Sequence, residues 1–219
     1  MWEVSDLFAG DRDPWRHGLR AGVDEVGIGP LAGPVMAAAV LLNPLDPIEG
    51  LDDSKVLTHK RRETLAAAIK IHALSWAVGS AEIEEIDSLN ILQASHLAMK
   101  RAIDQLRPRP KMAYVDGNKK PNLGMPVVAI VQGDKKIAQI SAASIIAKVA
   151  RDKLMIEFDQ TYPGYGFARH KGYPTKAHFA ALQTLGACPI HRRSFAPVKA
   201  VLKQNTTGAQ TQGRMESTA

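Results

Sequence analysis

The stretch AGVDEVGIGPLAGPVMAAAVLL, residues 21–42, decides the architecture. It opens on a short apolar run, 21–26, that carries the acidic pair Asp24-Glu25 near its end. Gly27-Ile28-Gly29-Pro30 then breaks the chain, because glycine admits backbone conformations other residues avoid and proline lacks an N–H. A second apolar run, 35–42, rich in Ala, Val and Leu, follows. Two such runs around a Gly/Pro breaker read as neighbouring strands. The uncharged tract 26–45 is punctuated by three glycines and three prolines, which argues against a membrane span, since an irregular backbone in lipid leaves polar groups unpaired.

Working outward, residues 58–72 begin at a capping threonine, Thr58, and place Leu65, Ala68 and Ile69 on one face, the pattern of an amphipathic helix. Residues 74–78 read as a strand, 82–87 as a short acidic helix, and 91–106 as a helix with Leu92, His96, Met99 and Ile103 at helical spacing. The short strands 113–115 and 127–131 run into turns at Asp116-Gly117-Asn118 and Gly133-Asp134. SAASIIAKVARD, 141–152, starts a helix that reaches 158, and 176–185 is a further helix closed by Gly186. Strands and helices interleave, so the class is α/β.

In a chain of 219 residues, 45% hydrophobic and 23% charged, this pattern implies one large domain and no wholesale disorder. The expected organisation is an N-terminal segment 1–19, a domain 20–203 that includes a helical C-terminal region, and a disordered Gln/Thr/Gly-rich tail, 204–219. The single cysteine, Cys188, excludes an internal disulfide and a multi-cysteine zinc site. Residues 1–13 lack the basic and apolar regions of a signal peptide, so a cytoplasmic, monomeric protein without membrane association is expected. Twenty-eight Lys and Arg against 22 Asp and Glu give a net charge of +6, a modest bias toward polyanionic partners.

Acids stand at three predicted strand ends: Asp24-Glu25, Asp116 and Asp134. In α/β sheets functional groups gather outside strand ends, where the side chains can converge. Carboxylates brought that close raise one another's pKa unless a cation compensates, and an oxygen-only donor set without Cys or a His pair favours Mg²⁺ or Mn²⁺ over Zn²⁺. Taken singly, Asp116 and Asp134 are equally well read as turn formers. Adjacent strand residues point to opposite faces, so Asp24 and Glu25 reach one metal only if the strand bulges or ends there, or if Glu25 acts through its carbonyl. Asp152 is the rival fourth acid, ranked below Asp134 because Lys148 four residues earlier makes it an ordinary exposed ion pair.

From 161 to 215 there is no Asp or Glu, whereas Arg169, Lys171, Lys176, Arg192, Arg193, Lys199, Lys203 and Arg214 are interleaved with Tyr162, Tyr165, Phe167, Tyr173, Phe179 and Phe195. Cations beside aromatic rings suit phosphate contact with base or sugar stacking. Lys176, Lys203 and Arg214 are read as a solvated face. His170, His178 and His191 match no common ligand spacing and read as surface or phosphate-contacting groups. Lys55, ahead of the first helix, is either a phosphate contact or a helix-start charge.

Taken jointly and in order, residues 21–35, Asp53-Ser54-Lys55, Val115-Asp116-Gly117-Asn118, Gly133-Asp134, residues 141–152, His170-Lys171-Gly172-Tyr173-Pro174-Thr175 and Arg192-Arg193-Ser194-Phe195 resemble bacterial ribonuclease HII, the type 2 ribonuclease H. The resemblance implies an RNase H-like fold, a mixed five-stranded sheet flanked by helices, with a helical C-terminal extension. It implies cleavage of the RNA strand of RNA–DNA hybrids, and incision 5′ of ribonucleotides embedded in duplex DNA, leaving 3′-hydroxyl and 5′-phosphate ends. Asp24, Glu25, Asp116 and Asp134 correspond to metal-binding catalytic acids for two Mg²⁺ or Mn²⁺ ions. Tyr173 corresponds to a sugar-stacking tyrosine and Lys55 to a phosphate contact, and Gly27, Ile28 and Gly29 to a loop that reads the 2′-hydroxyl. Lys171 and Arg193 fall in the matching basic motifs as further substrate contacts. The chain departs from the family pattern at Ile28, where a basic residue is usual. A weakened hybrid-binding protein, or another metal-dependent nuclease on the same fold, are the alternatives.

Overall fold

The computed structural model describes residues 18–52 and 54–204. Five strands form one mixed sheet: β1 (Arg20–Val26), β2 (Val35–Leu41), β3 (Ser75–Ala81), β4 (Met112–Asp116) and β5 (Val127–Ile130), in the order β3-β2-β1-β4-β5. The first three strands pair antiparallel and β1, β4 and β5 pair parallel, so β1 is central and joins the two halves. Six helices are bounded as α1 (His59–His72), α2 (Ile83–Leu89), α3 (Ile91–Gln105), α4 (Ala138–Thr161), α5 (Phe167–His170) and α6 (Lys176–Leu185), and a last helical stretch covers 196–204.

Side-chain alternation along β1 divides the core into two layers. Ala21 and Val23 face a cluster with Ile86, Ala98, Met99, Ala102 and Ile103 of α2 and α3. On the opposite face, Ala38 and Val40 of β2 pack against Leu65 and Ile69 of α1 and Ile145 and Ile146 of α4. Every residue of β2 is buried, which its Met-Ala-Ala-Ala-Val sequence permits because it carries no polar side chain. Close approach of helix to sheet needs glycine at two points. A Cβ on Gly22 would lie 2.0 Å from the Gln139 carbonyl carbon, and one on Gly79 would lie 2.2 Å from the Ala98 oxygen.

The expected elements form, with shifted bounds. β3 extends to Ala81 instead of ending at 78, because seven consecutive pairings with β2, Val35↔Ala81 through Leu41↔Ser75, carry it across Gly79. α4 begins at Ala138, three residues before the Ser141 start read from the motif. Its first turn follows directly from a 3-10 turn at Gly133–Lys135, in which the Gly133 carbonyl accepts from the N–H groups of both Lys136 and Ile137. The C-terminal helices pack onto the loop that follows β1: Ala32 joins Met155, Tyr165 and Phe167, while Leu31 joins Leu182, Val198 and Val201. Segment 1–17, Asp53 and the tail 205–219 lie outside the described residues.

Candidate active site

Asp24 sits two residues before the end of β1, on the face that α4 covers. Asp116 is the last residue of β4, whose parallel register beside β1 puts it next to Asp24 on the same side. Asp134 comes from the 3-10 turn, reached through Gln132, which takes the left-handed conformation at φ 56°. One carboxylate oxygen of each lies within 4.8 Å of the others. The backbone N–H of Gly133 donates to Asp116 Oδ1 at 2.7 Å, which ties the turn to the strand end. A Cβ on Gly133 would come within 2.6 Å of Ile140 Cδ1 and 3.4 Å of that same oxygen, so a larger residue there would have to move the end of the Ile140 side chain.

Glu25 stands apart from this tight triad but on the wall of the same cleft. The register of β1 on β2 is unbroken from Gly22↔Val40 to Val26↔Met36, so no bulge turns Glu25 toward Asp24. Nevertheless its carboxyl is pushed up to about 6, first by burial and then by the charges of Asp116 and Asp134, with Lys55 pulling the other way. Burial, followed by the neighbouring Glu25, raises Asp24 well above the usual carboxylate range, against a hydrogen bond from Ser144 that lowers it. Carboxylates held this close repel one another, and a cation between them offsets that repulsion. Their all-oxygen donor set fits a hard divalent cation, with Asp24, Asp116 and Asp134 as holders and Glu25 beside them.

The cleft next to the acids has a volume of about 360 Å³ and is lined by Asp24, Glu25, Ser54, Lys55, Ser144 and Tyr173, among others. Lys55 Nζ lies 3.8 Å from Asp134 Oδ2 on a side chain that is 74% exposed, where solvent screens the pair and a phosphate can reach the same ammonium. Arg62 and Lys148 line the same wall. Neither was expected at the site, although Lys148 follows Ser144 by four residues and therefore shares its helical face. Arg62 donates to the carbonyls of Ser54 and Leu57, and the Ser54 and Ser144 hydroxyls are 2.7 Å apart, so the Lys55 loop is pinned to α4.

Other expectations are corrected by burial. Arg192, read as part of a basic surface, is fully buried, and its guanidinium donates to the carbonyls of Gly27, Ile28 and Gly33. Arg151 does the same for Ala32, Pro34 and Lys171. These two forks satisfy the carbonyls of an irregular loop that the sheet cannot pair. The Lys148–Asp152 pair, expected on the surface, is largely buried at 2.6 Å. His170, His178 and His191 are interior, stacked among Tyr165 and Phe167, and are not surface or phosphate-contacting groups. Lys171 donates from Nζ to the Ala168 carbonyl, and Arg193 is exposed beside Asp87, outside the cleft lining. Tyr173, 40% exposed, is the aromatic of the basic stretch that reaches the cleft, and a Cβ on Gly29 would meet its ring at 3.7 Å. Ile28 presents an exposed apolar side chain while its carbonyl is held by Arg192.

Residues 21–198 match the family model described as Ribonuclease HII. The chain belongs to the ribonuclease HII family. Among solved structures, ribonuclease H2 from Pyrococcus horikoshii OT3 is 29% identical with a TM-score of 0.71, over 85% of this chain and 98% of that one. Ribonuclease HII from Archaeoglobus fulgidus, solved in a complex with PCNA, is 28% identical with a TM-score of 0.68, over 80% and 93%. Bst ribonuclease HIII, solved with Mn²⁺, shares the fold at 18% identity and a TM-score of 0.61, over 84% and 69%. This ribonuclease HII family member is therefore a hydrolase of the ribonuclease H type. Its α/β fold is the expected one, and its acid triad, with Asp24 and Asp134 buried and Asp116 half-buried, suits the divalent-metal dependence of the family.

Proposed function

We propose that this chain hydrolyses the RNA strand of RNA–DNA hybrids and incises duplex DNA on the 5′ side of embedded ribonucleotides, leaving 3′-hydroxyl and 5′-phosphate ends, with two divalent ions as cofactor. The observation that carries this reading is the meeting of Asp24, Asp116 and Asp134, far apart in the chain, beside a cleft walled by Lys55, Arg62, Lys148 and Tyr173. Bound as a pair, Mg²⁺ or Mn²⁺ supplies acidification of an attacking water and charge neutralisation at the departing 3′-oxygen. The chain's own residues do the rest. Asp24, Asp116 and Asp134 hold the ions, with Glu25 adding a fourth carboxylate on the same wall. Lys55 and Lys148 hold backbone phosphate, Tyr173 offers a face to the sugar beyond the ribonucleotide, and the Gly27-Ile28-Gly29 backbone faces the 2′-hydroxyl. Lys171 and Arg193 contact the duplex only at a distance from the acids.

No helix among the described residues is long and apolar enough to cross a membrane, in keeping with a cytoplasmic site of action. The deciding experiment offers the protein three duplexes in Mg²⁺ and in Mn²⁺: DNA with one ribonucleotide, all-DNA, and double-stranded RNA. Cleavage confined to the first, at the phosphodiester immediately 5′ of the ribonucleotide, is expected. Equal cleavage of all-DNA points to a different nuclease on this fold. Binding of the first duplex without cleavage points to a weakened hybrid-binding protein.

A further inference from the structure

Behind Tyr173 runs a buried chain of hydrogen bonds whose polarity is fixed at both ends. The Tyr173 carbonyl only accepts, so His178 Nδ1, 3.0 Å away, carries the proton. The Cys188 backbone N–H only donates, so His191 Nδ1, 3.0 Å from it, is bare, with the Cys188 sulfur packed 3.1 Å from the same nitrogen. Each imidazole being neutral, His191 Nε2–H donates to the bare His178 Nε2 at 3.1 Å, and the chain closes without conflict. Beside it, His170 lies 4.5 Å from His178, nearly parallel to it, donates from Nε2 to the Tyr165 carbonyl and accepts from the Gly172 N–H. Of these groups His178 bonds the Tyr173 carbonyl itself, His191 and Cys188 stand behind it, and His170 stacks beside it.

We propose that His178 and His191 are positioning residues for Tyr173, a Cys188–His191–His178 relay that fixes the Tyr173 backbone and through it the ring offered to substrate. This rests on Tyr173 being a substrate contact. The groups that act on the pair are His170 from α5, Tyr165 from the loop before it, and Cys188 from the loop after α6. Burial, then the neighbouring His178, holds the His191 imidazole down at about 4, in keeping with a relay that works only when uncharged. A proton added to His178 would set two N–H donors against each other.

The test is a double-mutant cycle between His178→Leu and Tyr173→Ala, read as separate kcat and KM on a duplex with one ribonucleotide, with His178→Asn as the conservative variant because its amide can still donate to the Tyr173 carbonyl. Expected are a rise in KM of about fivefold for His178→Leu, the size of one lost hydrogen bond, unchanged kcat, a smaller rise for His178→Asn, which keeps the donor to Tyr173 but loses the acceptor for His191, and no further rise when His178→Leu is added to Tyr173→Ala. His191→Leu, which removes the second link and leaves α6 untouched, gives the same KM effect and serves if His178→Leu does not fold. An unchanged KM in both leucine variants, or effects that add to that of Tyr173→Ala, overturns the relay while leaving the tyrosine's role standing. An unchanged KM in Tyr173→Ala instead removes the tyrosine from substrate binding, and the relay's role falls with it.

Discussion

At the scale of single residues, the site is a problem of charge. Asp24 and Glu25 are adjacent, and both carboxyls are driven up, Asp24 from within the triad and Glu25 from the wall beside it. A carboxyl whose folded pKa is raised is at no disadvantage below its unfolded pKa, and costs stability as pH rises through the folded value. For Glu25 that window runs from about 4.5 to about 6. Glu25→Gln should therefore raise the stability of metal-free protein by about 2 kcal/mol at pH 8 and by nothing at pH 4, as read by urea unfolding at the two pH values. Equal effects at both would show that the carboxylate is solvated. The same repulsion explains why acids were legible here: Asp-Glu before Gly-Ile-Gly-Pro has no packing role, so its chemistry showed through the sequence. The interior arginines and histidines were not legible, because a run of bases and rings looks the same whether it meets solvent or backbone carbonyls. What decides is the carbonyls left unpaired by Gly27 to Pro34, and those appear only once the chain is folded.

At the scale of elements, periodicity located the strands and helices, and the ends moved where tertiary pairing overrode local signals. β3 gained its last residues from β2, and α4 gained a turn from the 3-10 segment before it. The geometry of the triad depends on how closely α4 and its preceding turn approach β1. Gly22→Ala places a methyl 2.2 Å from the Gln139 oxygen and 2.4 Å from the Ile140 nitrogen, backbone atoms that have nowhere to go. A loss of about 3 kcal/mol, with reduced activity at temperatures where the protein is still folded, is expected from denaturant unfolding and cleavage assays. A neutral result would mean that α4 is loosely seated. The loop after β1 is an element in the same sense, held by Arg192. Arg192→Leu leaves the carbonyls of Gly27, Ile28 and Gly33 without that donor and should cost about 3 kcal/mol, well beyond the effect of a surface arginine. Unfolding curves superimposable on those of the parent would contradict this.

At the scale of the whole molecule, an excess of positive charge is arranged around a negative centre. Lys55, Arg62 and Lys148 edge the cleft whose floor holds the acids, so a polyanion is drawn in while its scissile phosphate needs cations to approach the carboxylates. Affinity for a hybrid duplex should fall as salt rises, and Lys55→Ala should reduce the magnitude of the log–log slope by about 1, one phosphate contact, in an anisotropy titration. A slope unchanged by that substitution would take Lys55 off the binding path. The α/β class, and acids standing at the strand ends of β1 and β4, could be read from order and spacing. That Asp134 completes the triad and Asp152 does not follows from a turn that brings Gly133 to Asp116, a contact across 17 residues that no local pattern announces.

The most direct measurement is single-turnover cleavage of a duplex carrying one ribonucleotide, in saturating Mg²⁺, by the parent and by Asp116→Asn. The charge of one metal-holding carboxylate is removed while its hydrogen-bond acceptor for Gly133 is kept. The rate should fall by about 10²-fold or more with the melting temperature unchanged or raised. Cleavage by the folded Asp116→Asn protein at the parent rate would contradict a metal centre built on these acids.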